Sequence, residues 1–315
     1  MSIQFIDLFC GLGGFRVALE NFGAKCVFSS DIDQHVQKNY EYNFKDKVQG
    51  DITTIHEQDI PPHDILCAGF PCQPFSIANS IGETGFNHTK GTLFYDVIRI
   101  AKHHKPKIIF LENVARILKH DHGKTLEIII KTLKIIGYNS HYKILNSANY
   151  STAQQRKRFY LVAIREDIKQ HFTFPLPSAD CVVLESCINH KYNDDQSLII
   201  TRQYHIKKDI KKPIKKPIRL GLIENRDSQG NRIYSVKGTS ITFTASGGGL
   251  AGKTGAYFIA DKVRKLHIRE CLNVLGFSDN YKFHDDISKT QQYKMVGNSV
   301  CVEVLKKIIE QFINI

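Results

Sequence analysis

The chain has no tryptophan and only two methionines among its 315 residues. No apolar run approaches the roughly 18 residues that a bilayer-spanning helix needs, so no membrane span is expected. The start, Met1-Ser2-Ile3-Gln4-Phe5-Ile6-Asp7, lacks a basic segment and meets an acid at once, so a signal peptide is not expected. The eight cysteines, at 10, 26, 67, 72, 181, 187, 271 and 301, include no CxxC pair. They scatter through apolar segments, where zinc and disulfides are poor fits. Reduced thiols in a cytoplasmic protein, with no metal, are the expectation. Acids are also scarce: 31 Asp and Glu stand against 43 Lys and Arg, a net charge of +12. A basic balance points to a polyanionic partner, nucleic acid first, although charge alone leaves a merely basic soluble enzyme open. What is present is enough apolar residue, 42%, to build a core and to exclude disorder.

The first half alternates short β-branched runs with helical patterns. Strands are predicted at 3–9, 26–31, 64–70, 108–114, 142–148 and 159–165, with helices at 92–104 and 124–136. Such alternation predicts an α/β fold, a doubly wound, mostly parallel sheet covered on both faces. Sheets of this kind bind ligands at the carboxyl ends of their strands. After about residue 186 the periodicity weakens, and 207–219 reads KKDIKKPIKKPIR. Residues 186–285 carry 18 Lys and Arg against 9 Asp and Glu, a net of +9, while the rest of the chain nets only +3. A charge run is usually a solvated face, but a whole segment this lopsided reads as a surface turned to DNA. The tail, 301–315, returns to an amphipathic helix.

Several motifs lie at the expected ligand edge. Asp7-Leu8-Phe9-Cys10-Gly11-Leu12-Gly13-Gly14 is a strand entering a glycine turn and a helix, which lets a ligand approach backbone amides. Asp31 ends the second strand, where an acid can accept hydrogen bonds from a ribose. Asp51 follows a third short segment. Singly, each acid is more often a turn or cap residue. The sharpest signal is Gly69-Phe70-Pro71-Cys72-Gln73-Pro74-Phe75-Ser76, a cysteine between two prolines just past an apolar strand. Prolines stiffen such a loop and fix the approach of the thiol, which does not suit a buried structural cysteine. Glu112-Asn113-Val114 ends another strand, and a partly desolvated carboxyl there favours its protonated form and can donate to a ring nitrogen. Gln154-Gln155-Arg156-Lys157-Arg158 starts a further strand, with Arg156 and Arg158 on one face by alternation.

Residues 247–254, GGGLAGKT, match the P-loop pattern GxxxxGK[ST]. That mechanism needs a helix opening at the Lys-Thr pair, and the following Gly255-Ala256-Tyr257-Phe258-Ile259 reads as strand instead. Nucleoside triphosphate binding is therefore not expected.

In order, DLFCGLGG, GFPCQPFS, ENV, QQRKR, RKLHIREC and QYKMVGNSV resemble the ordered motifs of the DNA (cytosine-5)-methyltransferases over nearly the whole chain. The resemblance implies that Cys72 adds to C6 of a cytosine flipped out of the duplex and makes C5 nucleophilic. It implies that Glu112 holds N3 and the exocyclic amine and that Arg158 binds O2, with Arg156 in support and Gln154 opening the motif. The methyl donor would be S-adenosyl-L-methionine, leaving S-adenosyl-L-homocysteine. Its implied contacts are Phe9, Gly11, Leu12, Gly13, Asp31, Ile32, Asp51, Ile52, Leu93, Asn298 and Val300. Three positions depart from the pattern: Ile32 replaces an aromatic residue, Ala78 a serine of the catalytic loop, and Ala153 a proline.

The same resemblance divides the chain into a catalytic and cofactor-binding domain, 1–185 plus 286–315, and an inserted target-recognition domain, 186–285. Duplex DNA is the implied partner, touched by Gln73, Ser76, Gln229, Arg232 and Gly248. Arg232 suits the O6 and N7 atoms of a guanine, although an arginine more often contacts phosphate. Gln229 is placed to fill the gap left by the flipped base. The short palindrome GCGC is the expected target by similarity to a bacterial member of the family. A monomer working beside a separate restriction endonuclease, in a bacterial cytoplasm at the nucleoid, completes the expectation. Two other readings stay open: a tRNA cytosine methyltransferase on the same motifs, and a catalytically silent DNA-binding module.

Overall fold

The structure, a computed structural model, describes residues 2–71, 93–169, 171–206 and 212–314. The first half forms β1 (Gln4–Leu8), α1 (Gly14–Glu20), β2 (Lys25–Ser30), α2 (Gln34–Phe44), β3 (Ile65–Ala68), α3 (Leu93–His104), β4 (Ile108–Val114), α4 (Lys124–Ile135), β5 (Tyr138–Asn146) and β6 (Lys157–Arg165). The second half adds β7 (Tyr204–Ile206), β8 (Arg219–Ile223), β9 (Arg232–Ser235), β10 (Ala256–Ile259), β11 (Lys262–Lys265), α5 (Ile268–Leu275), α6 (Lys289–Asn298) and α7 (Val302–Ile309).

Six strands pair in the order β2-β1-β3-β4-β6-β5. The first four are parallel, and β6 runs antiparallel to β4 and β5. Strands buried on both faces read as continuous apolar runs, as in Ile65-Leu66-Cys67-Ala68, all buried. On one face Phe5, Cys67 and Phe110 join the core that holds Ala18 of α1 and Leu305 of α7. On the other, Ile6, Leu66 and Leu111 join Val97 of α3 and Ile129 of α4. Helices therefore cover both faces, which is the doubly wound fold expected from the alternation. Strand β5 begins at Tyr138, four residues before the predicted start, because Tyr138 pairs with Arg165 and extends the antiparallel ladder.

The register aligns the ligand edge. Leu8 lies beside Ala68 and Ala68 beside Leu111, so the segments after β1, β3 and β4 leave the sheet together. Antiparallel β6 brings its amino end to that edge, with Arg158 opposite Val114 and Tyr160 opposite Glu112. The tail returns to the first strand's helix: a Cβ on Gly14 would run into Cγ2 of Val300.

The second sheet, β11-β10-β9-β8-β7, belongs to the basic half. Residues 247–254 are turns and bends that lead into β10, so the P-loop match has no helix behind it. Helix α5 and the stretch after it pack on the core that Tyr234 and Tyr257 of this sheet share with the first. Cys271, Leu275 and Tyr281 lie in the core of the first sheet, and the Tyr281 hydroxyl accepts from Asn39 Nδ2 at 3.0 Å.

A buried ion pair ties these parts. Arg264 donates through both Nη groups to Glu270 at 2.8 Å, and the two side chains are 1% and 0% exposed. Glu270 also accepts the backbone amides of His267 and Asn189, at 2.8 and 2.9 Å. Removing one member of a buried pair leaves an uncompensated charge. Glu270→Ala is therefore expected to lower unfolding free energy by about 3–5 kcal/mol in urea titrations, and a loss below about 1 kcal/mol would count against this role.

Candidate active site

The turn after β1 is built for close approach. Phe9 and Gly11 both adopt positive φ, 56° and 53°, and a methyl group on Gly11 would meet only the Phe9 carbonyl, at 3.9 Å. Gly13, at φ 77°, opens α1 against the rings of Phe44 and Tyr40, where no side chain fits. Asp31, one residue past β2, spans this turn. Its Oδ2 accepts the Gly11 amide at 3.1 Å and its Oδ1 the Asp33 amide at 3.0 Å. Burial raises the Asp31 carboxyl above the usual range, opposed by those amide hydrogen bonds. Each oxygen keeps a lone pair for a hydroxyl donor. Ile32 beside it is 71% exposed, an apolar side chain without cover at the sheet edge.

The remaining residues of the implied cofactor set divide. Asp51 caps a short turn by accepting Thr53 N and Oγ1 at 3.0 and 2.9 Å, while Ile52 and Leu12 are buried in the core. Leu93 opens α3, partly buried against the core beneath β1 and β3. Asn298 ends α6 with an exposed side chain, and Val300 is buried against α1. The turn, the acid and the bare isoleucine together suit an adenosine-bearing ligand: a hydroxyl acceptor, an apolar surface and an open backbone. Among the described residues no cluster of three or more His, Cys, Asp or Glu could hold a metal ion.

Cys72, Gln73, Ser76 and Ala78 lie outside the described residues. The segment that leads into them is described. Asn113 Nδ2 donates to the Phe70 carbonyl at 2.9 Å, and the buried Phe70 ring packs 5.8 Å from that of Phe94. Asn113 thus fixes the last residues before Pro71-Cys72 to the end of β4. Sequence reading quoted Asn113 without giving it this part; a polar residue between a strand-end acid and an apolar run was the available signal.

Glu112 is the fifth residue of β4 and is 8% exposed. Its Oε1 lies 3.1 Å from Arg158 Nε, an ion-pair contact without good hydrogen-bond geometry. A methyl group on Gly69 would sit 3.8 Å from Glu112 Oε2, so the carboxyl faces the segment that leaves β3 toward Cys72. Burial raises the Glu112 carboxyl, against the pull of Arg158 and then Arg156. A carboxyl whose protonated form burial favours, beside a guanidinium, can donate to one atom of a bound ring while the cation faces another.

Arg156 and Arg158 are both turned away from solvent, with exposed Lys157 between them, and Arg156 lies deeper. It precedes β6, is 2% exposed, and donates to the carbonyls of Phe243 at 3.0 Å, Gly297 at 3.1 Å and Ser299. Burial lowers its pKa to about 10. Gln154 is fully buried, accepts the Cys301 thiol at 3.7 Å, and follows Ala153, whose carbonyl accepts the Ser240 amide at 2.7 Å. These two residues join β6 to the basic half and to the chain end.

In the basic half, Gln229 is exposed and lines an open depression with Ser228, Thr244 and Gly248. A methyl group on Gly248 would meet nothing within 4 Å. Arg232 is not free. Its Nε donates to Asp227 Oδ1 at 2.6 Å, a partner that sequence reading overlooked although an acid five residues away in a turn was there to be weighed.

A doubly wound sheet with one antiparallel strand, a glycine turn, a spanning acid and a glutamate–arginine pair at one edge defines a methyltransferase of the S-adenosylmethionine-dependent fold. The chain belongs to the C-5 cytosine-specific DNA methylases, whose family model matches residues 3–314. It is 45% identical to the Type II methyltransferase M.HhaI of Haemophilus parahaemolyticus, over 98% of this chain and 93% of that one. It is 41% identical to the Type II methyltransferase M.MspI of Moraxella sp, over 98% of this chain and 70% of that one. Among solved structures it resembles Dnmt2 of S. pombe, with a TM-score of 0.74 at 17% identity, covering 98% of this chain and 99% of that one. At that identity the likeness concerns the fold.

Proposed function

We propose that this chain methylates C5 of a cytosine flipped out of duplex DNA at one short site, GCGC by its similarity to M.HhaI. The observation that carries the reading is the buried Glu112–Arg158 pair at the sheet edge, facing the segment that runs into Cys72. S-adenosyl-L-methionine, when bound, supplies the methyl group. Phe9, Gly11, Leu12, Gly13, Asp31, Ile32, Asp51, Ile52, Leu93, Asn298 and Val300 would hold it, with Asp31 accepting from the ribose and Ile32 covering the base.

The Cys72 thiolate adds to C6 and pushes electron density onto C5 and N3. Protonated Glu112 donates to N3 and its other oxygen accepts from the exocyclic amine. Arg158 donates to O2. After transfer, water takes the C5 proton, and the C5–H electron pair restores the C5–C6 double bond as the C6–S bond breaks. Cys72 leaves as thiolate, and N3 returns its proton to Glu112. Flipping costs a few kcal/mol of unstacking and is required because C6 is inaccessible within the stack. Arg156, bound to three carbonyls, acts as a positioning residue for Arg158 rather than as a catalytic one.

The division proposed is a catalytic part before residue 186 and near the chain end, with target recognition between. Gln229, Arg232 and Gly248 would meet the DNA beside Gln73 and Ser76. A monomer acting beside a separate restriction endonuclease in a bacterial cytoplasm fits one site per chain.

The test is transfer of a labelled methyl group to duplex DNA and to tRNA in parallel. Incorporation into duplex alone is expected, and incorporation into tRNA alone would replace DNA as the substrate. Duplex affinity should fall steeply with salt. Neutralising four phosphates gives a slope of about −3.6 and about a hundredfold loss between roughly 50 and 200 mM salt. A flat response would remove the +9 segment from the interface.

A further inference from the structure

Asp227 sits in the connection between β8 and β9, within the part of the chain, 186–285, that nets +9. An acid beside a DNA-facing surface repels phosphate, so its presence there needs a use. Its two oxygens are divided between two arginines. Oδ1 accepts Arg232 Nε at 2.6 Å, and Oδ2 accepts Arg219 Nη1 at 3.2 Å. The side chains of Asp227 and Arg232 are 55% and 37% exposed, and an ion pair this open adds little stability.

We propose that Asp227 is a positioning residue for base reading: its carboxylate grips Arg232 by Nε and leaves the two Nη groups to face a guanine. The inference rests on the proposed reading of Arg232. A guanidinium recognises O6 and N7 through paired donors, and a long side chain loses rotamer freedom to do so. A carboxylate on Nε removes part of that freedom before DNA arrives and does not occupy the Nη1–Nη2 edge.

The base beneath the pair is firm. Arg232 opens β9 opposite Leu222 of β8, and the three residues after it are buried. The connection is folded on itself: Ser228 Oγ donates to Asn231 Oδ1 at 3.1 Å, and Asn231 Nδ2 to the Ile223 carbonyl at 3.4 Å. Gly230 lies flat against the Gly248 carbonyl, where no Cβ fits. The reading pair therefore stands on a fixed hairpin beside Gln229 and the open depression.

The experiment compares Asp227→Ala, Arg232→Ala and the double variant in the full-length protein. Duplexes carry the site mapped by bisulfite sequencing or a single-base replacement of its guanine. The readout is the ratio of kcat/KM between site and replacement. Asp227→Ala is expected to lower that ratio about tenfold, to act no further once Arg232 is gone, and to leave nonspecific DNA affinity equal or higher. An unchanged or higher ratio in Asp227→Ala, with Arg232→Ala still losing it, overturns the positioning role alone. An unchanged ratio in Arg232→Ala overturns the reading of Arg232 and this inference with it. Additive losses in the double variant also overturn it, since the two residues would then act apart. Both side chains are exposed, and unaltered thermal unfolding of the variants is the control.

Discussion

Cys72→Ser is expected to cut methyl transfer by at least about 10³-fold while duplex affinity stays within about twofold. A hydroxyl is a far weaker nucleophile than a thiolate, and no residue described near Glu112 replaces it. Cysteines 10, 67, 271 and 301 are buried in the core, and burial pushes their thiols upward, away from the reactive form. Cys72 is set apart from them by sequence, since it follows Pro71 at the segment that Asn113 ties to β4. A duplex with 5-fluorocytosine at the target offers a second check, because the adduct cannot lose a C5 proton and should stay joined to the protein. Mass spectrometry is expected to find that adduct on the peptide carrying Cys72 and to find none with Cys72→Ser. Retained turnover, or an adduct on another cysteine, would move the nucleophile elsewhere.

Glu112→Gln is expected to lower kcat by about 10²–10⁴-fold with a smaller change in DNA affinity. The amide keeps the shape but has no acidic proton for N3. Burial raises the wild-type carboxyl, so the protonated form persists to higher pH and is lost as pH rises through that raised value. Wild-type kcat should therefore decline on the alkaline side, and the glutamine variant should lack that limb. Stability follows the same sign. The raised carboxyl's contribution is fully present below its unfolded-state pKa and is lost as pH rises through the folded one. Glu112→Gln should accordingly lose less stability than wild type as pH rises from the unfolded-state value through the raised folded one. An unchanged kcat for Glu112→Gln would contradict the proton-donor role, whatever the pH profile.

The two halves of the molecule were not equally legible in the sequence. Strand–helix alternation carried the first sheet, because parallel strands buried on both faces leave unbroken apolar runs such as Ile65-Leu66-Cys67-Ala68. The ends of those strands followed, and with them the positions of Asp31 and Glu112. The second sheet was mostly missed, since β7 to β11 are only three to five residues long, and β9 and β10 bury both faces, which leaves no alternation to read. Alternation put Arg156 beside Arg158, but the carbonyls it binds come from residues 243, 297 and 299, which no local pattern brings together. Asp227 was missed because its role comes from a hairpin that brings residues 219, 227 and 232 together, a juxtaposition without a local pattern. The Arg264–Glu270 pair lay within a quoted motif, yet only burial marks it as structural.

The most direct test of the central claim is bisulfite sequencing of plasmid DNA from cells that express this chain and have no cytosine methylation of their own. Resistance at the internal cytosine of GCGC is the predicted result, giving both the reaction and the site. Resistance in another fixed motif would keep the chemistry and overturn the GCGC assignment. Complete conversion at every cytosine, with the folded protein present, would contradict the account.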